Sequence, residues 1–200
     1  MERSKIEKKL HKALDKERFC HTMGVMYTAA SLAMAHGCDM EQALLAGLLH
    51  DCAKCIPNDK KLELCKKHHI EITRAEERSP FLLHAKLGAW YARKKYHIKD
   101  PDILHAIAVH TTGVPGMNLL DKIIYIADYI EPNRNKAPDL EQVRAMAFVD
   151  LDRTMLHILE GTLSYLEEGR GEIDPLTAET GTYFRELCNG QKARDKEESL

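Results

Sequence analysis

The sequence predicts an all-α protein folded as a single bundle of about nine or ten helices. Nearly every segment repeats apolar residues at a helical period, sustained polar–apolar alternation is missing, and helix-starting and helix-breaking residues punctuate the chain. Helices are expected at 3–13, 16–36, 39–54, 58–68, 79–96, 100–111, 118–130, 139–146, 150–169 and 177–187. The first two rest on periodicity, and Gly37 closes the second. Asp39 opens the third, with Gln42 at the third helical position in a capping-box-like start and Ala43, Leu44, Ala46, Gly47 and Leu48 on its packed face. Pro57 separates it from the fourth. Ser79-Pro80 and Asp100-Pro101 each place a proline at the first helical position behind a capping side chain. Gly113, Pro115 and Gly116 end the helix begun at Asp100, Pro132 ends 118–130, and Gly169, Gly171 and Pro175 separate the last two helices. No repeat of roughly 20–50 residues appears. Residues 1–188 therefore read as one domain. The tail 189–200, NGQKARDKEESL, lacks apolar anchors and is predicted to be disordered and without chemistry.

Composition narrows the setting. Hydrophobic residues are 44 % and charged residues 30 % of 200, ordinary for a globular chain, so a wholly disordered reading fails. Twenty-nine Lys and Arg against 31 Asp and Glu leave a net charge of −2, which gives no global field for a long nucleic acid or an acidic membrane. The longest apolar stretch, Ala43 to Leu49, falls far short of a membrane span, and the N-terminus MERSKIEKKLHK has no signal-peptide core. A cytoplasmic protein is expected. The six cysteines are too sparse for a disulfide scaffold, and Cys52-Ala-Lys-Cys55 reads as two thiols one helical turn apart. Asp59-Lys60-Lys61 and Arg93-Lys94-Lys95 read as solvated faces.

Eleven histidines are the feature to explain. His50-Asp51 closes the most apolar helix, where an isolated carboxylate is too costly to keep charged unless it is paired, solvated or metal-bound. His21, His84, His110 and Asp128 each sit beside or within another apolar helical stretch. Nitrogen and carboxylate ligands without thiolate suit iron, manganese, cobalt or zinc. There is no H-E-x-x-H, no E-x-x-H and no P-loop, which removes the common zinc-protease helix, the ferritin-like di-iron bundle and the Walker nucleotide site. A mixed His/Asp site drawn from several helices remains. His68, His69, His97 and His11 read as surface, and His36, His105 and His157 have no evident partner.

The ordered series His21, His50-Asp51, His84, His110 and Asp128 resembles the HD-domain metal-dependent phosphohydrolases. The words around it are similar to the YqeK family, the symmetrical bis(5'-nucleosyl)-tetraphosphatases that hydrolyse diadenosine tetraphosphate. They are Arg18-Phe19-x-His21-Thr22-x-Gly24-Val25, Gly47-Leu48-Leu49-His50-Asp51-x-Ala53-Lys54, Leu83-His84-Ala85-x-x-Gly88-Ala89, Ala108-Val109-His110-Thr111-Thr112-Gly113 and Ala127-Asp128-Tyr129-Ile130-Glu131-Pro132-x-Arg134. The blocks cover residues 18–134, and the match continues weakly to Phe184.

The resemblance implies a single HD-domain helical bundle and hydrolysis of the tetraphosphate bridge to two ADP by a metal-activated water attacking a middle phosphorus. It implies His21, His50, Asp51 and Asp128 as ligands of iron, one ion or two, with His84 and His110 contacting phosphate or holding the second. Asp51, His84, His110 and Lys54 would be the catalytic set, with an imidazole protonating the departing diphosphate. His21, Lys54, His84, His110, Asp128, Arg134, Ile173 and Thr177 would bind the substrate. The implied partners are small: a dinucleoside polyphosphate, with ADP or GDP as a product-like ligand. A homodimer is also open, since the apolar Leu151–Leu166 helix suits an interface as well as a core. One departure stands out. The family's C-terminal Ile-His-Pro…Thr…Ala-Arg-Asn pattern is here Ile173-Asp174-Pro175-Leu176-Thr177-Ala178-Glu179-Thr180-Gly181, with Gly181 where an arginine is expected. Two other readings stay open on the sequence: an HD phosphohydrolase acting on nucleoside triphosphates or an alarmone, and a nucleotide sensor with little turnover.

Overall fold

A computed structural model describes residues 1–137, 139–169 and 173–197. The described residues form eleven α-helices and a short 3-10 turn, with no strand. The helices are α1 Arg3–Ala13, α2 Lys16–His36, α3 Met40–Leu49, α4 Asn58–Lys67, α5 Arg74–Arg78, α6 His84–Lys94, α7 Pro101–Val109, α8 Leu119–Ile130, α9 Leu140–Ala147, α10 Leu151–Glu168 and α11 Pro175–Glu197.

Local chemistry sets most boundaries. Asp15 accepts from the Arg18 amide to cap α2, Asp39 accepts from Gln42 to cap α3, and Asp100 accepts from Asp102 and Ile103 to cap α7, each satisfying amides with no helical partner. Gly37 ends α2 in the left-handed conformation, φ 72°. The expected 79–96 helix is instead two pieces, the 3-10 turn Pro80–Leu83 and α6. Ser79 makes no side-chain cap and ends α5, a separate short helix that Thr73 and Glu76 open with a reciprocal capping box. The 39–54 helix ends at Leu49, and the chain winds on in tighter turns, Cys52 N to Leu49 O at 3.1 Å and Lys54 N to Asp51 O at 2.9 Å. The last helix runs past residue 188 to Glu197. Gln191, Lys192, Ala193 and Arg194 are good helix formers that prolong a helix already anchored by Phe184 and Cys188. Residues 198–200 of the expected tail lie outside the described residues. Lys61 also departs from expectation: it is buried on α4, donates to Asn58 Oδ1 at 3.1 Å, and its pKa is lowered by desolvation.

The main core gathers α1, α2, α3, α7, α8 and α10 around residues such as Ile6, Met26, Leu48, Ile107, Ile123 and Leu159, all buried. A smaller cluster, Ala53, Cys65, Leu83 and Leu87, seats α4 and the 3-10 turn beside α6. α2 is flanked by α3 and α8, and α7 packs on α3, α6 and α8. Histidines and an aspartate interrupt this apolar interior where those helices meet. His21, His50, Asp51, His84 and His110 are all buried.

Candidate metal centre

Each residue of the cluster is delivered by a different end or face. His21 projects from the second turn of α2, His50 and Asp51 follow α3, His84 is the first residue of α6, His110 follows α7, and Asp128 lies in the last turn of α8. Small residues let these elements close. A Cβ at Gly47 would stand 2.9 Å from Met26 Cα, so α2 and α3 approach there as only glycine permits. A Cβ at Gly88 would meet the His50 carbonyl oxygen at 3.4 Å, and Gly113, at φ 67°, turns the chain after His110.

Protons on the ring nitrogens can be placed from their partners. Nδ1 of His50 lies 2.7 Å from the Gly47 carbonyl, Nδ1 of His110 lies 2.8 Å from that of Ile107, and Nδ1 of His84 faces that of Phe81. A carbonyl only accepts, so each Nδ1 carries the hydrogen and each Nε2 presents a lone pair to the centre. His21 differs: its Nδ1 donates to the Glu131 carboxylate at 3.1 Å. The inward nitrogens then crowd one another, His21 and His50 at 3.4 Å and His84 and His110 at 3.1 Å. Lone pairs facing at that range call for a positive centre between them.

The carboxylates make the same demand. Asp51 Oδ2 lies 3.5 Å from His50 Nε2 and 3.8 Å from His21 Nε2, while Oδ1 lies 3.2 Å from His84 Nε2 and 3.6 Å from His110 Nε2. Asp51 is buried, and its Oδ1 has no hydrogen-bond donor. Burial opposes its charge, yet the surrounding imidazoles, His50 foremost, hold its carboxyl well below the usual carboxylate range. Asp128 Oδ1 meets His21 Nε2 at 3.0 Å, and its carboxyl is likewise held low, against burial, by the neighbouring imidazoles, His21 foremost. Burial lowers the His84 pKa to about 4, which keeps that ring neutral. Three half-exposed cations stand at the edge. Arg18 Nη1 donates to Asp51 Oδ2 at 2.8 Å, Arg134 Nη2 to Asp128 Oδ1 at 2.7 Å, and Lys54 Nζ to His84 Nε2 at 3.1 Å.

These donors fit a metal ion. Three overlapping groups, His21/His50/Asp51, His50/His110/Asp128 and Asp51/His84/His110, each offer ligand atoms within 4.8 Å of one another. Neutral imidazole nitrogen and carboxylate oxygen are the ligands of iron, manganese, cobalt and zinc, and the orphaned Asp51 Oδ1 lacks the cation such a site supplies. A family model described as HD domain matches residues 18–133.

The chain belongs to the HD-domain family. It is 39 % identical over 195 residues to the symmetrical bis(5'-nucleosyl)-tetraphosphatase of Halalkalibacterium halodurans, covering 96 % of this chain and 100 % of that one. The Bacillus subtilis protein of the same name is 37 % identical over 164 residues, 82 % of this chain and 87 % of the relative. A solved structure from Clostridium acetobutylicum, described as a predicted HD superfamily hydrolase involved in NAD metabolism, superposes with a TM-score of 0.90 at 38 % identity, covering 94 % of this chain and 98 % of that one.

The HD-domain fold thus gathers His21, His50, Asp51, His84, His110, Asp128, Lys54 and Arg134 in one place. Ile173 precedes α11 and Thr177 lies in its first turn, where the hydrogen bonds are internal, Thr177 N to Asp174 O at 3.0 Å and Leu176 N to Asp174 Oδ1 at 2.9 Å. Residues 171 and 172 of that stretch lie outside the described residues. Gly181 is a packing residue, since a Cβ there would meet Leu163 Cδ1 of α10 at 2.9 Å. Sequence reasoning missed Thr111, whose hydroxyl lies 3.2 Å from Nε2 of both His84 and His110. It left Arg18 and Glu131 without roles inside motifs it quoted. The CxxC pair is split by environment: Cys52 is buried, with its thiol pushed up to about 12 by burial, whereas exposed Cys55 faces Asp15. His105 and His36 do have partners, the Asp121 carboxylate at 2.9 Å and the Ala147 carbonyl at 2.7 Å.

Proposed function

We propose that this HD-domain protein hydrolyses dinucleoside tetraphosphates symmetrically, turning diadenosine tetraphosphate into two ADP. The observation that carries the reading is Asp51, buried between two imidazole pairs with one oxygen unsatisfied, in a chain that aligns over 100 % of the length of a symmetrical tetraphosphatase. His21, His50, Asp51 and Asp128 would hold the metal, iron in first place, with manganese, cobalt and zinc as competitors. When bound, such an ion supplies Lewis acidity at a phosphoryl oxygen and makes water more acidic.

The chain's own residues do the rest. Lys54 and Thr111 converge on the His84/His110 corner, so a phosphate there meets an ammonium and a hydroxyl together. Arg134, with a 43 % exposed side chain, offers a planar fork to a second phosphate on exchanging its Asp128 bond. Burial lowers the His84 pKa to about 4, so at neutral pH its ring carries no extra proton to donate and serves as an acceptor or ligand. That group needs little help, since a terminal phosphate with a second pKa of about 6 departs as a stable anion. The near-neutral chain suits a short polyphosphate with ADP or GDP as product. No helix of the described residues is long and apolar enough to cross a membrane, in keeping with a cytoplasmic nucleotide hydrolase.

Metal-loaded protein incubated with diadenosine tetraphosphate should give ADP alone on chromatography. AMP plus ATP, or no product with any of the four metals, overturns the reading. A second arrangement is favoured by Asp51 Oδ1, which with His84 and His110 forms its own ligand triad. Two ions per chain by elemental analysis would assign that triad to a metal, and one ion would leave it to phosphate.

A further inference from the structure

We propose that Glu131 is a positioning residue of the metal centre, acting through His21 to make it the strongest of the four imidazole donors. The inference rests on the reading that this centre binds a metal ion. Three of the rings give their Nδ1 hydrogen to neutral main-chain carbonyls three residues back, an arrangement any helix end can provide. His21 alone gives it to a carboxylate, Glu131 Oε1 at 3.1 Å. A full negative charge behind the ring draws the Nδ1 hydrogen away and raises electron density at Nε2, the atom that faces Asp128 at 3.0 Å and His50 at 3.4 Å.

Several parts of the molecule hold the carboxylate for this task. Glu131 caps α8 and is 1 % exposed. Its Oε2 accepts from the Asn133 backbone amide at 2.8 Å and from the Asn133 side chain at 2.9 Å, which leaves Oε1 for His21. Gly24 lies one turn beyond His21 on α2, and a Cβ there would fall 2.3 Å from Glu131 Oε2. The glycine of the Arg18–Val25 motif thus makes room for the glutamate of the Ala127–Arg134 motif, which explains two motif positions with no ligand role. Arg144 Nη2 binds the carbonyls of Glu131 at 3.0 Å and Arg134 at 2.9 Å, so the turn carrying the carboxylate is fastened to α9. A residue needed only to end a helix would require none of this clearance.

Cobalt(II) is the probe, added to metal-free protein with a competing chelator, and affinity and the visible cobalt spectrum are the readouts. Glu131→Gln keeps the side chain's size and removes its charge. It should retain wild-type helix content, bind cobalt about 10–100-fold more weakly and shift the spectrum. Gly24→Ala, which displaces the intact carboxylate, should move both readouts the same way. Wild-type affinity and spectrum in a folded Glu131→Gln protein overturn the proposal, because a merely structural role would leave both unchanged. If that variant does not fold, ring-nitrogen NMR of the unsubstituted metal-free protein decides: a His21 Nδ1 hydrogen supports the proposal, and an Nε2 tautomer overturns it. Failure of the unsubstituted protein to bind cobalt instead sinks the metal reading itself.

Discussion

At Asp51 one side chain meets two imidazole pairs and a guanidinium, so its charge and its shape can be separated by experiment. Asp51→Asn keeps the volume but gives an amide hydrogen able to reach the His84 Nε2 lone pair, 3.2 Å from the present Oδ1. Outer partners of metal ligands are worth about 10–100-fold in affinity, so losing a direct ligand should weaken cobalt binding by at least about 100-fold and reduce turnover as much. The metal-free variant should melt no lower than metal-free wild type, because the orphaned oxygen is replaced by a satisfied donor. Chelator competition, product chromatography and calorimetry check the three parts. His84 gives a pH signature. Its folded pKa of about 4 lies below the ordinary 6.5, so the unfolded chain takes the proton first as pH falls. The stability it contributes is complete above pH 6.5 and is lost between 6.5 and 4, on the order of 3 kcal/mol in metal-free protein. Urea midpoints across that window should fall, and His84→Gln should flatten the fall. The six central His and Asp positions were legible in the sequence because polar residues in apolar helices are conspicuous. Arg18, Thr111 and Glu131 were not, since each sits among polar or turn residues, and only the folded arrangement shows which atom it faces.

Elements carry these residues to one another, and the tightest junction is α2 against α3. A methyl group at position 47 would lie 2.9 Å from Met26 Cα and 3.2 Å from its nitrogen, backbone atoms that move only if the helices separate. Gly47→Ala should therefore cost about 2 kcal/mol as an overpacking change and lower the melting temperature by about 4–8 °C. It should also weaken metal binding, because α2 carries His21 and the turn after α3 carries His50. A variant that melts as wild type would show that the junction is looser than the geometry requires. Most helices were legible through their caps: Asp39, Asp100 and Gly37 act as their residue types predict. The errors have a common source. Thr73 and Glu76 spell a capping box, but the helix they open is only Arg74–Arg78, too short to show a period. The turn after Leu49 winds too tightly for a helical period to reveal, and that winding lets adjacent His50 and Asp51 face the same centre.

For the whole molecule, six ligand-type residues from five separated segments come together only in the native state, so binding there is linked to folding. Near-neutral net charge gave no hint of this, because the compensation is local: Asp51 and Asp128 are met by Arg18 and Arg134. An ion that binds the native but not the unfolded chain stabilises it by about 2.7 kcal/mol at 100 times its Kd, which for a chain of this length is about 5–10 °C in melting temperature. Stripping the metal with a chelator should lower the melting temperature by that amount, and re-adding iron, manganese, cobalt or zinc should restore it in order of affinity. A salt bridge at the surface would be screened by added salt, whereas a buried ion would not, so the difference should persist at high ionic strength. Asp51→Asn should abolish it, leaving one melting temperature with and without chelator. If chelation leaves wild type unmoved while elemental analysis shows the metal gone, the His/Asp cluster closes on itself without an ion, and its facing lone pairs must be reconciled by protons instead.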